Sequence, residues 1–327
     1  MKGFGVADMA TRTQATADSV YMWFSMTKIM TATAVMQLAE QGRLRLDDPV
    51  NYYIADFPGS ESSTPATVRH LLNHSSGLSN PMPIRWIHPA TEVGPELGAF
   101  LSHLLTSHGK LRSDPGQKAS YSNIGYVALG VVVAVASGIP YERYVREKIL
   151  KPLGMSLTDF TYTPDMIHTA AIGYQKRMSL MGLVLPWMGI PEGILAGKVD
   201  GFISFNRFYL DGSSYGGLIG PIRDAARFLQ AHLNHGRVNG VQMLSPDSVS
   251  VMQQISARGD KLDFGLGWFR EHTLGLPPDY LQQLGGGAGF SSIMRIYPKE
   301  SLGIVIMGNS TSFDIKSMIS ALRCENW

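Results

Sequence analysis

The chain has 327 residues, of which 44% are apolar, with 28 basic side chains against 26 acidic ones. At that length a folded chain buries roughly three quarters of its unfolded surface, which excludes disorder. The formal charge of +2 gives no field that would recruit nucleic acid or an anionic membrane. A lone cysteine, Cys324, excludes an internal disulfide and a cysteine zinc cluster, and the nine histidines form no HExxH spacing, so no metal and no cofactor are expected.

In chain order, residues 3–15 read as strand and turn, and the first residues lack the continuous apolar run of a signal peptide, so a soluble cytoplasmic protein is expected. Residues 27–42 read as an apolar-rich helix ended by Gly42. From about 44 to 175 the pattern is mostly helical, with polar and Gly/Pro loops and clear helices over 124–137 and 141–150. The uncharged stretch Met178 to Pro191 is too short for a membrane span and is broken by Pro186. It reads either as an ordinary core segment or as an apolar loop. A Gly/Pro-rich region over 186–220 leads to a helix over 222–234. Strands follow over 264–270, 290–297 and 302–308, then a closing helix over 314–323.

Strands near both ends with helices between them imply an α+β fold, one sheet being assembled from the two ends of the chain. The expected division is a sheet-bearing lobe of residues 1–43 and 215–327 and a mostly helical lobe of residues 44–214 containing the apolar loop 178–191. A small-molecule site is expected between them.

Chemistry concentrates at Ser25-Met26-Thr27-Lys28. At a helix start, positions i and i+3 share a face, so the Lys28 amine can reach the Ser25 hydroxyl. The helix N-terminus disfavours an ammonium and pushes Lys28 toward the neutral base that a serine nucleophile requires. The same spacing occurs at Ser107 and Lys110, where Gly109 breaks the helix and a solvated loop is expected. Tyr121-Ser122-Asn123 is the second candidate. A phenol beside Lys28 could exchange the nucleophile's proton if neighbouring positive charge lowered its pKa, and the Asn123 amide could hold a carbonyl or orient the lysine. The alternative is a partly buried aromatic followed by a helix cap.

These motifs stand in a longer ordered series: LRLDDPV (44–50), TVRHLLNHSSGL (67–78), DPGQKASYSNIGYVALG (114–130), ILKPLGM (149–155), GGLIGPIRDAARF (216–228) and GGGAGFSS (285–292). In that order, and over nearly the whole chain, they resemble the serine hydrolase superfamily of class C β-lactamases, penicillin-binding proteins and family VIII carboxylesterases. The resemblance implies a β-lactamase-like fold, an antiparallel sheet flanked by helices with an inserted mostly helical lobe. It implies Ser25 as the acylated nucleophile, Lys28 as its proton partner, Tyr121 as general base and acid, and Asn123 positioning Lys28 and the substrate. Arg69, His74 and Asp47 read as scaffold.

The third family element, commonly Lys/His-Thr-Gly, departs here. The stretch Gln282 to Phe290 holds no lysine or histidine, and its register is open between Gln283-Leu284-Gly285 and Leu284-Gly285-Gly286. Without a cation to pair with a substrate carboxylate, a neutral ester is expected. An N–H of Gly286 or Gly287, with that of Ser25, could form an oxyanion hole, the alternative being a flexible glycine hairpin. Trp187 is expected to overhang the cleft and shape an acyl or alcohol pocket. Only 24 residues precede Ser25, fewer than the family usually places there, so either a shortened start or a sheet edge covered by another chain or element is expected, and with it a homodimer or limited stability.

The function expected is thus a serine carboxylesterase for short- to medium-chain neutral esters. A β-lactamase or penicillin-binding D-Ala peptidase is the alternative, and a non-catalytic binding protein of the same fold a further one.

Overall fold

The computed structural model describes residues 1–59, 64–272 and 279–324. The fold is α+β, as its pattern of elements implies. Its sheet is an antiparallel meander of six strands in chain order: Ala257–Arg258, Leu262–Phe264, Phe269–Glu271, Leu281–Gly287, Phe290–Tyr297 and Leu302–Gly308. Strand periodicity sorts the last of these between two layers. Gly303 sits under Leu229 and Leu233 of the helix Ile222–Leu233, while Ile304 and Ile306 join Ile293, Tyr297 and Ile319 beneath the helix Ile315–Cys324.

The sheet is built from the C-terminal third of the chain alone, not from both ends. Val6–Asp8 pairs only with Thr13–Gln14, and the Asn309 side-chain amide donates to the Val6 and Ala7 carbonyls in place of a ladder. The expected strand over 264–270 is a hairpin corner between two strands. Gly267, at φ 83°, turns the chain where a Cβ would lie 2.8 Å from Ala32. The Gly/Pro-rich region carries strands of its own: Leu195–Val199 and Phe202–Phe205 pair into a three-stranded sheet with Tyr174–Lys176, and Phe208–Leu210 pairs with Ile87–Pro89.

At the centre lies the helix Thr27–Glu40, buried without interruption from Thr27 to Leu38. A helix with no polar face has to be enclosed on all sides. Its threonines tolerate this because each hydroxyl has a hydrogen-bond partner: Thr33 donates to the Ile29 carbonyl (2.9 Å), Thr31 to the Ser214 carbonyl (2.6 Å), and Thr27 accepts from the Leu218 N–H (3.2 Å). The helix Asn123–Ser137 packs on it and in turn carries Leu97–His108. Ser122 caps that second helix by accepting from the Gly125 N–H, and Gly138 ends it in the left-handed conformation. One continuous core includes Met30, Val127, Leu229 and Met294, joining the helical layer to the sheet. Among the described residues no single helix is long and apolar enough to cross a membrane.

Candidate active site

Ser25 occupies a short 3-10 turn, Phe24–Met26, that runs directly into the central helix. The turn is set by Phe24, whose φ of 45° is unusual for a bulky residue. Its ring is wedged between Phe208 and Phe290, with centroids 6.4 and 6.5 Å away. Packing thus holds the backbone just before Ser25 in a conformation it would otherwise leave.

One turn on, Lys28 is wholly buried, and its Nζ has three partners: Ser25 Oγ at 2.9 Å, Asn123 Oδ1 at 2.8 Å and the Tyr215 carbonyl at 2.8 Å. Two of these, the amide oxygen and the backbone carbonyl, can only accept. Nζ donates to all three; on loss of one proton those two acceptors keep both remaining hydrogens, and the lone pair falls to the Ser25 hydroxyl. Burial holds the Lys28 pKa well below its ordinary value. The rings of Tyr121, Tyr126 and Tyr215, 4.9, 5.5 and 5.3 Å from Nζ, close the enclosure. Desolvation, rather than the helix terminus, is the cause of the shift.

Tyr121, whose ring is 4.9 Å from Lys28 Nζ, also hydrogen bonds Ser25. Burial raises its phenol, with the hydrogen bond to Ser25 pulling weakly the other way. Nearby positive charge was expected to lower this group; burial raises it instead. Burial thus disfavours the charged form of both groups, the Lys28 ammonium and the Tyr121 phenolate.

The segment 120–123 is docked onto the loop 74–80 through three backbone donors. Ser120 N–H donates to the His74 carbonyl, Ser122 N–H to His74 Nδ1 and Asn123 N–H to Asn80 Oδ1. His74, read from the sequence as scaffold, and Asn80, which the sequence did not single out, hold this segment in place. His74 looked like scaffold because nothing in its spacing ties it to Tyr121, 47 positions later. Arg69 and Asp47 form a bidentate surface pair at 2.7 and 2.9 Å, remote in kind from this buried group. Ser107 and Lys110 are exposed at the end of the helix Leu97–His108.

The third element is the strand Leu281–Gly287, and its register is now legible. A Cβ on Gly285 would stand 2.1 Å from the Trp23 carbonyl oxygen and one on Gly287 2.8 Å from the Phe24 ring, so this face lies directly on the Ser25 turn. Gly285 is thus the glycine the close approach requires, and Gln283-Leu284-Gly285 is the register. Gln283 turns inward, donating to the Gly267 carbonyl (3.1 Å), whereas Leu284 is 41% exposed. The actual turn is Ala288-Gly289, both with positive φ, closing on the pair Gly287–Phe290. In a two-residue hairpin the closing pair is hydrogen bonded, and the alternation leaves the N–H groups of Leu284 and Gly286 on the other edge. That edge is paired only at Gln282. The glycines are strand, not a flexible loop.

Trp187 follows the short helix Leu180–Val184 and is 88% exposed, so it is not packed against the Ser25 group. Among the described residues, no group of three or more His, Cys, Asp or Glu side chains could hold a metal ion.

The beta-lactamase family matches residues 1–319 of the chain. The D-alanyl-D-alanine-carboxypeptidase/endopeptidase AmpH of Escherichia coli (strain K12) is 28% identical over 311 residues, covering 94% of this chain and 75% of its own. Among solved structures, the octameric penicillin-binding protein homologue from Pyrococcus abyssi superposes with a TM-score of 0.75 at 23% identity, over 99% of this chain and 70% of that one. The D-amino acid amidase from Ochrobactrum anthropi SV3 complexed with D-phenylalanine does so with a TM-score of 0.72 at 24% identity, over 94% and 82%. At those identities the two structures speak to the fold.

Proposed function

The chain belongs to the beta-lactamase family and is a serine hydrolase of that family; from this premise we propose that it is a carboxylesterase working through an acyl-enzyme on Ser25. The observation that carries the reading is the set of three partners on Lys28 Nζ, which holds the buried amine 2.9 Å from Ser25 Oγ. Lys28 takes the hydroxyl proton as Oγ bonds to the ester carbonyl carbon. The electron pair displaced onto the carbonyl oxygen is held by the Gly286 and Ser25 N–H groups. As the tetrahedral adduct collapses, the Tyr121 phenol protonates the departing alkoxide and recovers its proton from Lys28. Water then attacks the acyl-enzyme with the same two groups in reversed order. The assignment divides the roles differently from the family expectation: Lys28 is the base and Tyr121 the acid.

A neutral ester is favoured because the third element offers no cation. Gln283 is turned away, Leu284 is apolar and only backbone remains. A second reading, hydrolysis of a D-amino-acid amide or peptide, draws on the names of two relatives. Of the two, an amide without a free carboxylate fits this strand better than a peptide C-terminus. The test is a panel of a short p-nitrophenyl ester, a chromogenic cephalosporin, D-phenylalanine amide and a D-Ala-D-Ala peptide, run on wild type beside Ser25→Ala. The ester is expected to turn over fastest, and a cephalosporin or D-peptide rate far above the ester rate would reverse the assignment.

A further inference from the structure

Tyr121 has to present one phenol oxygen to Ser25, yet it sits on an irregular segment just ahead of a helix, where backbone register is not fixed by a ladder. The structure shows what fixes it. His74 grips residues 120 and 122 on either side: its carbonyl accepts from the Ser120 N–H (2.8 Å) and its Nδ1 accepts from the Ser122 N–H (3.1 Å). Its imidazole lies flat on the Tyr121 ring, with centroids 4.5 Å apart and planes inclined by 27°. Two backbone hydrogen bonds set the height of Tyr121, and the stacked ring sets its rotation.

His74 is itself over-determined. It is buried, its ring lies against Tyr126 (5.0 Å) and edge-on to Phe264 (4.8 Å), and its backbone is left-handed at φ 60°. Accepting at Nδ1 requires the neutral ring with its proton on Nε2, and burial together with the nearby Lys28 disfavours any second proton. No aliphatic residue supplies both a flat face and an in-plane acceptor at this position.

We propose that His74 is a positioning residue, a three-point clamp that holds the Tyr121 phenol in register with Ser25. The proposal rests on the assignment of Ser25 and Tyr121 made above. Displacing a catalytic group by about 1 Å costs about 10²-fold in rate, so the clamp acts on kcat and not on substrate affinity.

The test uses the full chain with His74→Phe, which keeps a ring but loses the acceptor, and His74→Asn, which tolerates the left-handed backbone but loses the stacked face. Competent sites are counted by fluorophosphonate titration of Ser25, and kcat and KM for a p-nitrophenyl ester are expressed per competent site. Each variant is expected to lose about tenfold or more in kcat with KM changed less than about twofold. In a Tyr121→Phe background, His74→Asn is expected to cost little more, because the group it positions is gone. Unchanged kcat per competent site, with only fewer sites or a lower Tm, would overturn the proposal and leave His74 as scaffold. So would equal losses in both backgrounds. If wild type itself is not labelled at Ser25, the assignment of function fails first and the clamp with it, so the two failures are told apart.

Discussion

The two walls around Ser25 are made in opposite ways. On the helical wall, Lys28, Tyr121 and Asn123 are buried or half-buried side chains tied together by hydrogen bonds and ring contacts. On the strand wall, Leu281–Gly287 offers backbone and no ionisable group, and it reaches the Ser25 turn because glycine stands at 285 and 287. Chemistry is thus written in positive features, a partner for each N–H of one amine, whereas substrate preference is written in an absence, the missing cation. A wall of the first kind should break abruptly under substitution, and one of the second kind should change what it admits.

Five substitutions sharpen that contrast. Ser25→Ala removes the nucleophile and should lower kcat/KM by about 10⁴-fold or more, measured with a p-nitrophenyl ester. Lys28→Met keeps the volume but removes the base and should cost about 10³-fold, with circular dichroism showing the fold retained. On the strand wall, Gly285→Ala drives a methyl group into the Trp23 carbonyl. It should cost about 10²-fold in activity and about 1–3 kcal/mol of stability in thermal unfolding. Gly286→Ala is its control, since the nearest atom to that Cβ is the Phe290 carbonyl oxygen at 3.9 Å, and it should unfold like wild type. The smallest effect belongs to Gln283→Lys, which places a cation at the first residue of the third element, on the strand face that meets the Ser25 turn. Its ratio of D-Ala-D-Ala peptide to ester turnover should rise about tenfold, and an unchanged ratio would show that the missing cation does not set substrate preference.

Much of this arrangement was readable from sequence because it is local. Ser25 and Lys28 are one helical turn apart, and Tyr121 and Asn123 flank a cap, so periodicity and capping rules place each pair. What was not readable depends on contacts between distant segments. The Tyr215 carbonyl that takes a Lys28 hydrogen is a backbone atom 187 positions away, and no residue type signals it. His74 reaches Tyr121 through a left-handed backbone that only the folded loop reveals. The register of the glycine strand needed the Trp23 carbonyl, since the sequence offers three glycines in a row and only proximity says which of them cannot carry a side chain. Composition misled in the 186–220 region, which was rich in glycine and proline yet forms strands, with a turn at Gly201 between the first two. Val6–Asp8 had the alternation of a sheet strand but meets a side-chain amide where a ladder partner would be.

The central claim is that a buried, neutral Lys28 activates Ser25, and it predicts a sign. A depressed lysine pKa means the base is present above that pKa and is lost as pH falls through it. The second-order rate of fluorophosphonate labelling at Ser25, followed against pH in wild type and Lys28→Met, tests this most directly. The account predicts a wild-type rate that falls on acidification and reaches its plateau well below 10.5, the ordinary lysine value, with that acid limb absent from Lys28→Met. A wild-type rate that keeps climbing until the ordinary lysine range, or the same profile in both proteins, would contradict it.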